Sequence, residues 1–217
     1  MSPEQFISLV CHDLRAPLRG LKTLPDWARD EVVDAIGSIP PGLGEVLDMM
    51  TTQANRLDYI VRDLADYTKL VRSEANPASA PHDALPHDFI PFFDMNISVD
   101  TVPMEASHLA AVLHAFMDNA VTHGAARDKP TRVTIAAVDR DVVITVADQG
   151  PGVDAKHHET VFEPLSHLAS RDVCEGSGMG LATVARIAEL YNGTCRAYTN
   201  EAGGLSAEFR CPQTPGA

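Results

Sequence analysis

Two adjacent residues near the start of the chain, His12 and Asp13, have side chains suited to acid–base or phosphoryl chemistry. An imidazole can exchange protons and accept a phosphoryl group near neutral pH, and a neighbouring carboxylate can orient or deprotonate it. The apolar residues that surround the pair at helical spacing are Phe6, Leu9, Val10, Leu14, Leu18 and Leu21. They predict an amphipathic helix with His12 facing solvent, bent by Pro17 just past the histidine. A surface histidine without chemistry explains the same pattern and is more common.

An asparagine in the second half of the chain is a candidate metal ligand. Asp118 and Asn119 interrupt the apolar side of a helix predicted over residues 105–123, which ends at His123. Asparagine is unfavourable inside a helix, because its amide competes for backbone hydrogen bonds. Its side-chain oxygen is nevertheless a suitable ligand for Mg²⁺. A capping or surface asparagine fits equally well.

A carboxylate follows a predicted apolar strand in the same half of the chain. Asp148 can accept a hydrogen bond from the amino group of a buried base, and Gly150 and Gly152 allow close approach of the backbone. A tight turn is the plainer explanation of this segment. Phe162, on a later loop, is uninformative by itself.

Three alternating glycines, Gly176, Gly178 and Gly180, precede a predicted helix. Such a segment exposes successive backbone N–H groups to an anion, and the helix dipole favours that anion. It is not a P-loop, since no lysine follows the third glycine. A flexible connection is the alternative.

Composition limits the class of protein. The chain has 217 residues and a formal net charge of −13, which allows one large or two small domains and argues against nucleic acid or a membrane as partner. No apolar run approaches the ~20 residues that span a bilayer. The scattered cysteines are Cys11, Cys174, Cys195 and Cys211. Their spacing fits no metal site, so we expect reduced thiols in a cytoplasmic protein.

Two long amphipathic helices are predicted first. The first begins at Ser2 and Pro3, and we expect Pro25 to kink or interrupt it before a helix-compatible stretch over 26–36. After a turn at 37–42, the apolar side of the second helix comprises Leu43, Val46, Leu47, Met50, Ala54, Leu57, Ile60, Val61, Leu64 and Val71. One hairpin leaves such a face uncovered, so we expect a homodimeric four-helix bundle. Packing of this face on the rest of the chain is the alternative.

The pattern changes after a proline-rich stretch at 76–87, which is typical of a linker. The remaining predicted elements are strands at 89–93, 97–102, 132–138, 142–147, 194–198 and 205–211 and helices at 105–123 and 180–191. They indicate an α+β fold with a sheet covered on one face by helices. We therefore predict a helical hairpin over 1–75, a linker over 76–87, an α/β sandwich domain over 88–212 and a tail over 213–217.

Taken together and in this order, five segments resemble the sequence boxes of sensor histidine kinases. Residues 12–19 resemble the H box, 118–123 the N box, 148–152 the G1 box, 162–164 the F box and 176–181 the G2 box. The resemblance implies a dimerisation and histidine-phosphotransfer hairpin followed by a Bergerat-type ATPase domain. It implies a two-component protein histidine autokinase that uses ATP and Mg²⁺ and passes its phosphoryl group to an aspartate of a response-regulator receiver domain.

The same resemblance implies roles for individual residues. His12 would be phosphorylated, Asp13 would orient or deprotonate it, Asn119 would bind Mg²⁺ and Asp148 would bind the adenine amino group. The implied ATP-binding residues are Asn119, His123, Asp148, Gly150, Gly152, Phe162, Gly176, Ser177, Gly178, Met179, Gly180 and Leu181.

Some residues depart from the family pattern. Thr122 stands where a basic residue is frequent, Gln149 replaces an asparagine and Leu165 replaces a phenylalanine. Ala16 stands where many members have a threonine or asparagine that orients a hydrolytic water, so we expect weak phosphatase activity. Residues 168–172 are closest to the phytochrome-like branch of the family.

Three other functions compete with this interpretation. They are a phosphotransfer-only protein that does not use ATP, an ATP-driven clamp without phosphohistidine, and a dimerisation scaffold. About ten residues precede His12, so either the chain is a fragment or it receives its signal from a separate sensor protein. The sequence leaves both open.

Overall fold

The helical part of the molecule is a hairpin of two long helices, α1 (Pro3–Ile36) and α2 (Pro41–Thr68). Pro17 and Pro25 both lie inside α1, so Pro25 does not interrupt the helix. One missing backbone donor is tolerated where the two helices pack along their length. Gly37 ends α1 with a φ of +79°, a backbone conformation that favours glycine.

The computed structural model describes residues 3–70, 78–86, 91, 93–124, 131–166 and 177–213. By their contacts they form two units. The first, here called the hairpin unit, comprises 3–69 with 177–179, and the second, the sheet unit, comprises the other described residues. Among the described residues, no helix has both the length and the apolar character to cross a bilayer.

The core of the hairpin unit is small. Cys11, Leu18, Val61 and Ala65 form its buried cluster, and Leu47 and Ala54 of α2 are also buried. Most of the predicted apolar side is exposed instead: Phe6, Leu9, Val10, Leu14, Leu21, Leu43, Val46, Met50 and Leu57. The helices therefore contact each other along only part of their apolar surface.

Ion pairs at the edge join the two helices of the hairpin. The Lys22 Nζ lies 2.9 Å from a carboxylate oxygen of Asp58, and Arg62 lies 2.9 Å from the same oxygen. Arg29 pairs with Asp48. The Lys22 hydrogen bond, with help from Arg62, lowers the pKa of Asp58.

The sheet unit contains a five-stranded mixed sheet in the order β1-β2-β3-β5-β4. Its strands are β1 (Phe93–Ile97), β2 (Thr131–Val138), β3 (Asp141–Ala147), β4 (Thr194–Thr199) and β5 (Leu205–Pro212). The β1–β2 pair is parallel and the other pairs are antiparallel. The helices of the unit are α3 (Pro81–Ala84), α4 (Ala106–His123) and α5 (Gly180–Leu190). Short 3₁₀ turns lie at Ala155–His157 and Thr160–Phe162.

Helices α4 and α5 bury their apolar faces in one core with alternate residues of the central strands. Its fully buried residues include Leu109, Val112, Leu113, Phe116, Met117, Val133, Ile135, Ile144, Val184, Ile187 and Phe209. The alternation predicted β2, β3, β4 and β5 within one residue at each end. This arrangement confirms the predicted helical hairpin followed by an α/β sheet unit.

The strand predicted over 97–102 is wrong. Strand β1 ends at Ile97, and Val102 forms only an isolated bridge with Ser79. Val102 is nonetheless completely buried, so its apolar character reflects packing and not a strand. The strand predicted over 89–93 falls mostly on residues outside the described ranges.

The described part of the predicted linker is packed. The Ser79 hydroxyl donates to the Met104 carbonyl over 2.6 Å, and Ala84 and Leu85 lie in the core of the sheet unit. The prolines that favoured a linker can also begin a helix, as Pro81 does for α3. The domain limits themselves remain a prediction.

Candidate functional site

His12 is presented to solvent on the surface of α1. Its side chain is 78% exposed and that of Asp13 is 73% exposed, and the His12 Nδ1 lies 3.2 Å from the Asp13 Oδ1. A carboxylate only accepts hydrogen bonds, so this contact favours the tautomer that carries its proton on Nδ1. The lone pair of Nε2 is then free to act as a nucleophile.

An open cleft of the hairpin unit borders His12. It is lined by Gln5, Ser8 and Leu9 of α1 and by Thr68 and Lys69 at the end of α2. Lys69 is ion-paired with Asp66 at 2.9 Å. Beside the histidine, Cys11 faces the other way into the core, and burial raises the pKa of its thiol.

Asp148 is a buried carboxylate with one oxygen held in place. It is 5% exposed, and its Oδ1 accepts hydrogen bonds from the Gly150 N–H at 2.9 Å and the Leu205 N–H at 3.0 Å. Within the part of the chain that the structure describes, no hydrogen bond involves Oδ2. The second oxygen can therefore accept from a ligand.

Glycines allow three segments of the sheet unit to meet around Asp148. A Cβ on Gly124, at the end of α4, would lie 2.8 Å from the Asp148 Cβ. A Cβ on Gly150 would lie 2.8 Å from the Gly124 Cα, and one on Gly204 would lie 2.6 Å from the Asp148 Oδ1. Real Cβ atoms are not found at such distances, so the site depends on glycine at these positions. Gly152 adopts a φ of +69° and lies against the backbone of Gly203.

Asn119 is half-buried on α4, the helix whose C-terminal end contacts the Asp148 segment. Among the described residues its side chain has no hydrogen-bond partner, so its amide oxygen is available to a metal ion. These residues contain no cluster of three or more His, Cys, Asp or Glu side chains able to hold a metal. A single amide oxygen fits Mg²⁺, which keeps several waters and binds substrate phosphates. His123 is exposed at the end of the same helix.

Phe162 and Leu181 are half-buried against the core of the sheet unit. A Cβ on Gly180, the first residue of α5, would lie 3.6 Å from the Ala115 Cβ of α4. Helices α4 and α5 are thus adjacent where the predicted glycine-rich segment ends.

The rest of the glycine-rich segment is grouped with the hairpin unit. The Ser177 hydroxyl donates to Asp63 of α2 and accepts from the Met179 N–H at 3.2 Å, and Gly178 has a φ of +72°. Ser177, Gly178 and Met179 therefore belong to the hairpin unit, whereas Asp148 belongs to the sheet unit, and the role of these three residues in nucleotide binding stays a prediction. Gly176 and the 168–172 tract lie outside the described residues.

The sequence interpretation missed the turn between β4 and β5. Leu205 donates to Asp148, and Asn200 on the same turn donates from Nδ2 to the Asp148 backbone carbonyl at 2.8 Å. An asparagine followed by Gly203 and Gly204 between two strands is a hairpin-turn signal. That signal identifies a turn, but not the residue on which the turn packs.

Two family models match this chain. Residues 104–215 match "Histidine kinase-, DNA gyrase B-, and HSP90-like ATPase". Residues 3–72 match "His Kinase A (phospho-acceptor) domain". The chain belongs to the sensor histidine kinase family.

Curated relatives agree with this family assignment. The signal transduction histidine-protein kinase AfsQ2 of Streptomyces coelicolor is 27% identical over 228 residues, 97% of this chain and 42% of the relative. The sensor-type histidine kinase PrrB of Mycobacterium leprae is 31% identical over 225 residues, 96% of this chain and 48% of the relative. This chain thus spans less than half the length of these two relatives.

Solved structures share the fold of this chain. Full-length ShkA in complex with AMPPNP has a TM-score of 0.65 at 20% identity, covering 100% of this chain and 47% of that one. ThkA in complex with the response regulator protein TrrA has a TM-score of 0.61 at 16% identity, covering 98% and 65%.

Proposed function

We propose that this chain is the kinase core of a two-component system, which transfers the γ-phosphoryl group of ATP to its own His12 and then to an aspartate of a receiver domain. The observation that carries the proposal is the exposed His12 with its Nδ1 on Asp13, in a hairpin that matches the phospho-acceptor domain. In the buried Asp148, two backbone N–H groups hold Oδ1, and Oδ2 is available to accept a hydrogen bond from the base of a nucleotide.

The chemistry assigned to His12 follows from its tautomer. The Nε2 lone pair attacks the γ-phosphorus, the bond from that phosphorus to the bridging oxygen breaks, and ADP leaves with the electron pair. Asp13 holds the Nδ1 proton and stabilises the charge that develops on the ring. In the second step a receiver carboxylate attacks the phosphorus and the N–P bond breaks.

Asn119 is the residue that would hold Mg²⁺, through its amide oxygen. When bound, the ion neutralises charge on the phosphate oxygens. In this proposal Asp148 accepts from the adenine amino group through Oδ2, while Gly150 and Gly152 allow the backbone to approach the base. The remaining members of the ATP-binding set are those that the family resemblance implies.

The proposal includes a homodimer. The exposed apolar residues of α1 and α2 form a face that a second copy of the hairpin can cover. A receiver domain is the second partner, and a separate sensor protein is the partner proposed for signal input. We place the protein in the cytoplasm, and we keep the phytochrome-like branch as a prediction that rests on residues 168–172.

Incubation with γ-labelled ATP and Mg²⁺ tests the function directly. We expect acid-labile, base-stable label on the wild type and none on His12→Gln. The matched control is His82→Gln, which removes another exposed histidine and should leave labelling unchanged. Loss of label in Asn119→Ala supports the metal assignment. Nucleotide titration by calorimetry identifies a phosphotransfer-only protein, which would bind no ATP.

Ala16, exposed on α1, carries a prediction about phosphatase activity. The alanine cannot orient a hydrolytic water, so the wild type should remove phosphate from a phosphorylated receiver slowly. Ala16→Thr should accelerate that reaction without changing autophosphorylation. Rapid dephosphorylation by the wild type, with no gain in Ala16→Thr, contradicts the prediction.

A further inference from the structure

Asn200 uses its whole side-chain amide to join a turn to Asp148. Its Oδ1 accepts from the N–H groups of Ala202 and Gly204, both at 3.0 Å. Its Nδ2 donates to the backbone carbonyl of Asp148 at 2.8 Å. The oxygen therefore shapes the turn, while the nitrogen fixes that turn to the segment carrying the buried carboxylate.

The other bonds of Asp148 depend on the same turn. The Asp148 N–H donates to the Leu205 carbonyl at 2.9 Å, and the Leu205 N–H donates to Oδ1 at 3.0 Å. Gly204 lies so close that a Cβ there would be 2.4 Å from the Asp148 carbonyl oxygen. Displacement of the turn would thus move Leu205 and release Oδ1, which would free the carboxylate to rotate.

We propose that Asn200 is a positioning residue for base selection, which holds the carboxylate of Asp148 so that Oδ2 faces the amino group of a purine. This inference rests on the proposed function, in which Asp148 recognises adenine. In this inference Asn200 affects selectivity through its hydrogen bond to Asp148 and not by direct contact with the nucleotide.

Two variants of Asn200 separate this role from simple turn formation. Asn200→Asp keeps an oxygen for the Ala202 and Gly204 N–H groups but places an acceptor against the Asp148 carbonyl. Asn200→Ser can also cap the turn, yet its shorter side chain does not reach that carbonyl. A residue needed only for the turn would tolerate both changes.

Calorimetric titration of the full chain with Mg²⁺–ATP and Mg²⁺–purine riboside triphosphate, which lacks the amino group, tests the inference. The readout is the ratio of the two dissociation constants, because a change in charge or overall fold affects both nucleotides alike. We expect the wild type to prefer ATP and the two Asn200 variants to lose about fivefold of that preference, the equivalent of one hydrogen bond. The matched control is Asn192→Asp, the same chemical change in the exposed turn after α5.

The outcomes separate the inference from the function beneath it. A reduced ratio in both Asn200 variants and a wild-type ratio in Asn192→Asp supports the inference. A wild-type ratio in a folded Asn200→Ser or Asn200→Asp variant overturns it and leaves the proposed function standing. A wild type that binds neither nucleotide, or binds both equally, overturns the adenine assignment of Asp148 and the inference together.

Discussion

The two units of the molecule differ in how completely they bury their apolar side chains. The sheet unit buries large side chains completely, among them Phe116, Leu113 and Phe209. The buried cluster of the hairpin unit has only four described side chains, whereas large apolar side chains such as Trp27 and Leu57 are exposed. The core of the sheet unit is complete within one chain, whereas the hairpin has apolar surface that only another surface can cover.

The functional groups follow the same division. Asp148 lies in the sheet unit, where burial and backbone N–H groups hold one carboxylate oxygen. His12 lies on the hairpin, where its ring is open to solvent and to reaction partners. A base-recognition group needs a fixed geometry, whereas a phosphoryl carrier must be reached by more than one partner in turn.

The largest effect is expected in the core of the sheet unit. Phe116→Ala should lower the free energy of unfolding by about 3–5 kcal/mol, because it leaves a cavity that the packed core cannot fill. Denaturant titration measures this change, which should not depend on protein concentration. Val138→Ala, at a strand position that is 41% exposed, is the control and should cost less than about 1 kcal/mol. Equal losses in the two variants would contradict the comparison.

In the hairpin unit, a charge on the exposed apolar face should weaken formation of the dimer. Leu57→Glu places a charge on the exposed apolar face of α2, so it should raise the dissociation constant of the dimer by at least about tenfold. Sedimentation at several concentrations measures the change. Thr52→Glu, on another side of the same helix, should leave association unchanged. A wild type that stays monomeric at all concentrations would show that a second copy of the chain does not cover this face.

A glycine-to-alanine substitution should lower the stability of the sheet unit at Gly204 and raise the stability of the hairpin unit at Gly20. Gly204→Ala forces a methyl group into the Asp148 backbone and carboxylate, so we expect ATP affinity to fall by about tenfold and stability by about 1–3 kcal/mol. Gly20→Ala lies in α1 with open space around it and should stabilise the hairpin by about 0.5–1 kcal/mol. Thermal unfolding and nucleotide titration measure both changes, and a stabilised Gly204→Ala would contradict the packing described.

The smallest predicted effect is a pH dependence of stability that differs between the two units. Burial lowers the pKa of His108, whose Nδ1 contacts the Tyr191 hydroxyl at 2.9 Å. Below pH 6.5 the unfolded chain gains a proton that the folded unit resists, so stability should fall as the pH drops from 6.5 to the lowered pKa, by at most about 1.4 kcal/mol per pH unit.

His108→Gln should remove this contribution. In the hairpin unit, the hydrogen bond from Lys22 lowers the pKa of Asp58. The stability gained from this shift is present above pH 3.8 and is lost as the pH falls further. Denaturant titration of the wild type and His108→Gln from pH 7 to pH 4 tests the assignment. A pH dependence that is identical in both proteins would contradict it.

Periodicity predicted most of the elements because local repeats report directly on burial. The apolar spacing over 105–123 identified α4 within one residue, and the alternation around Asp139 identified the β2–β3 hairpin. The same reasoning was wrong at 97–102, where Val102 is buried without belonging to a strand. Apolar character signals burial, and burial does not require regular structure.

The sequence by itself determined the types and order of most of the elements and the residue types able to perform phosphoryl chemistry. Only the tertiary structure decided which part of the apolar face of α1 lies against α2, because that side is fixed by packing between the helices. It also decided that Asn200 bonds to Asp148, a residue 52 positions away in the chain. No local pattern encodes such a contact, since it exists only when β3, β4 and β5 pair in one sheet.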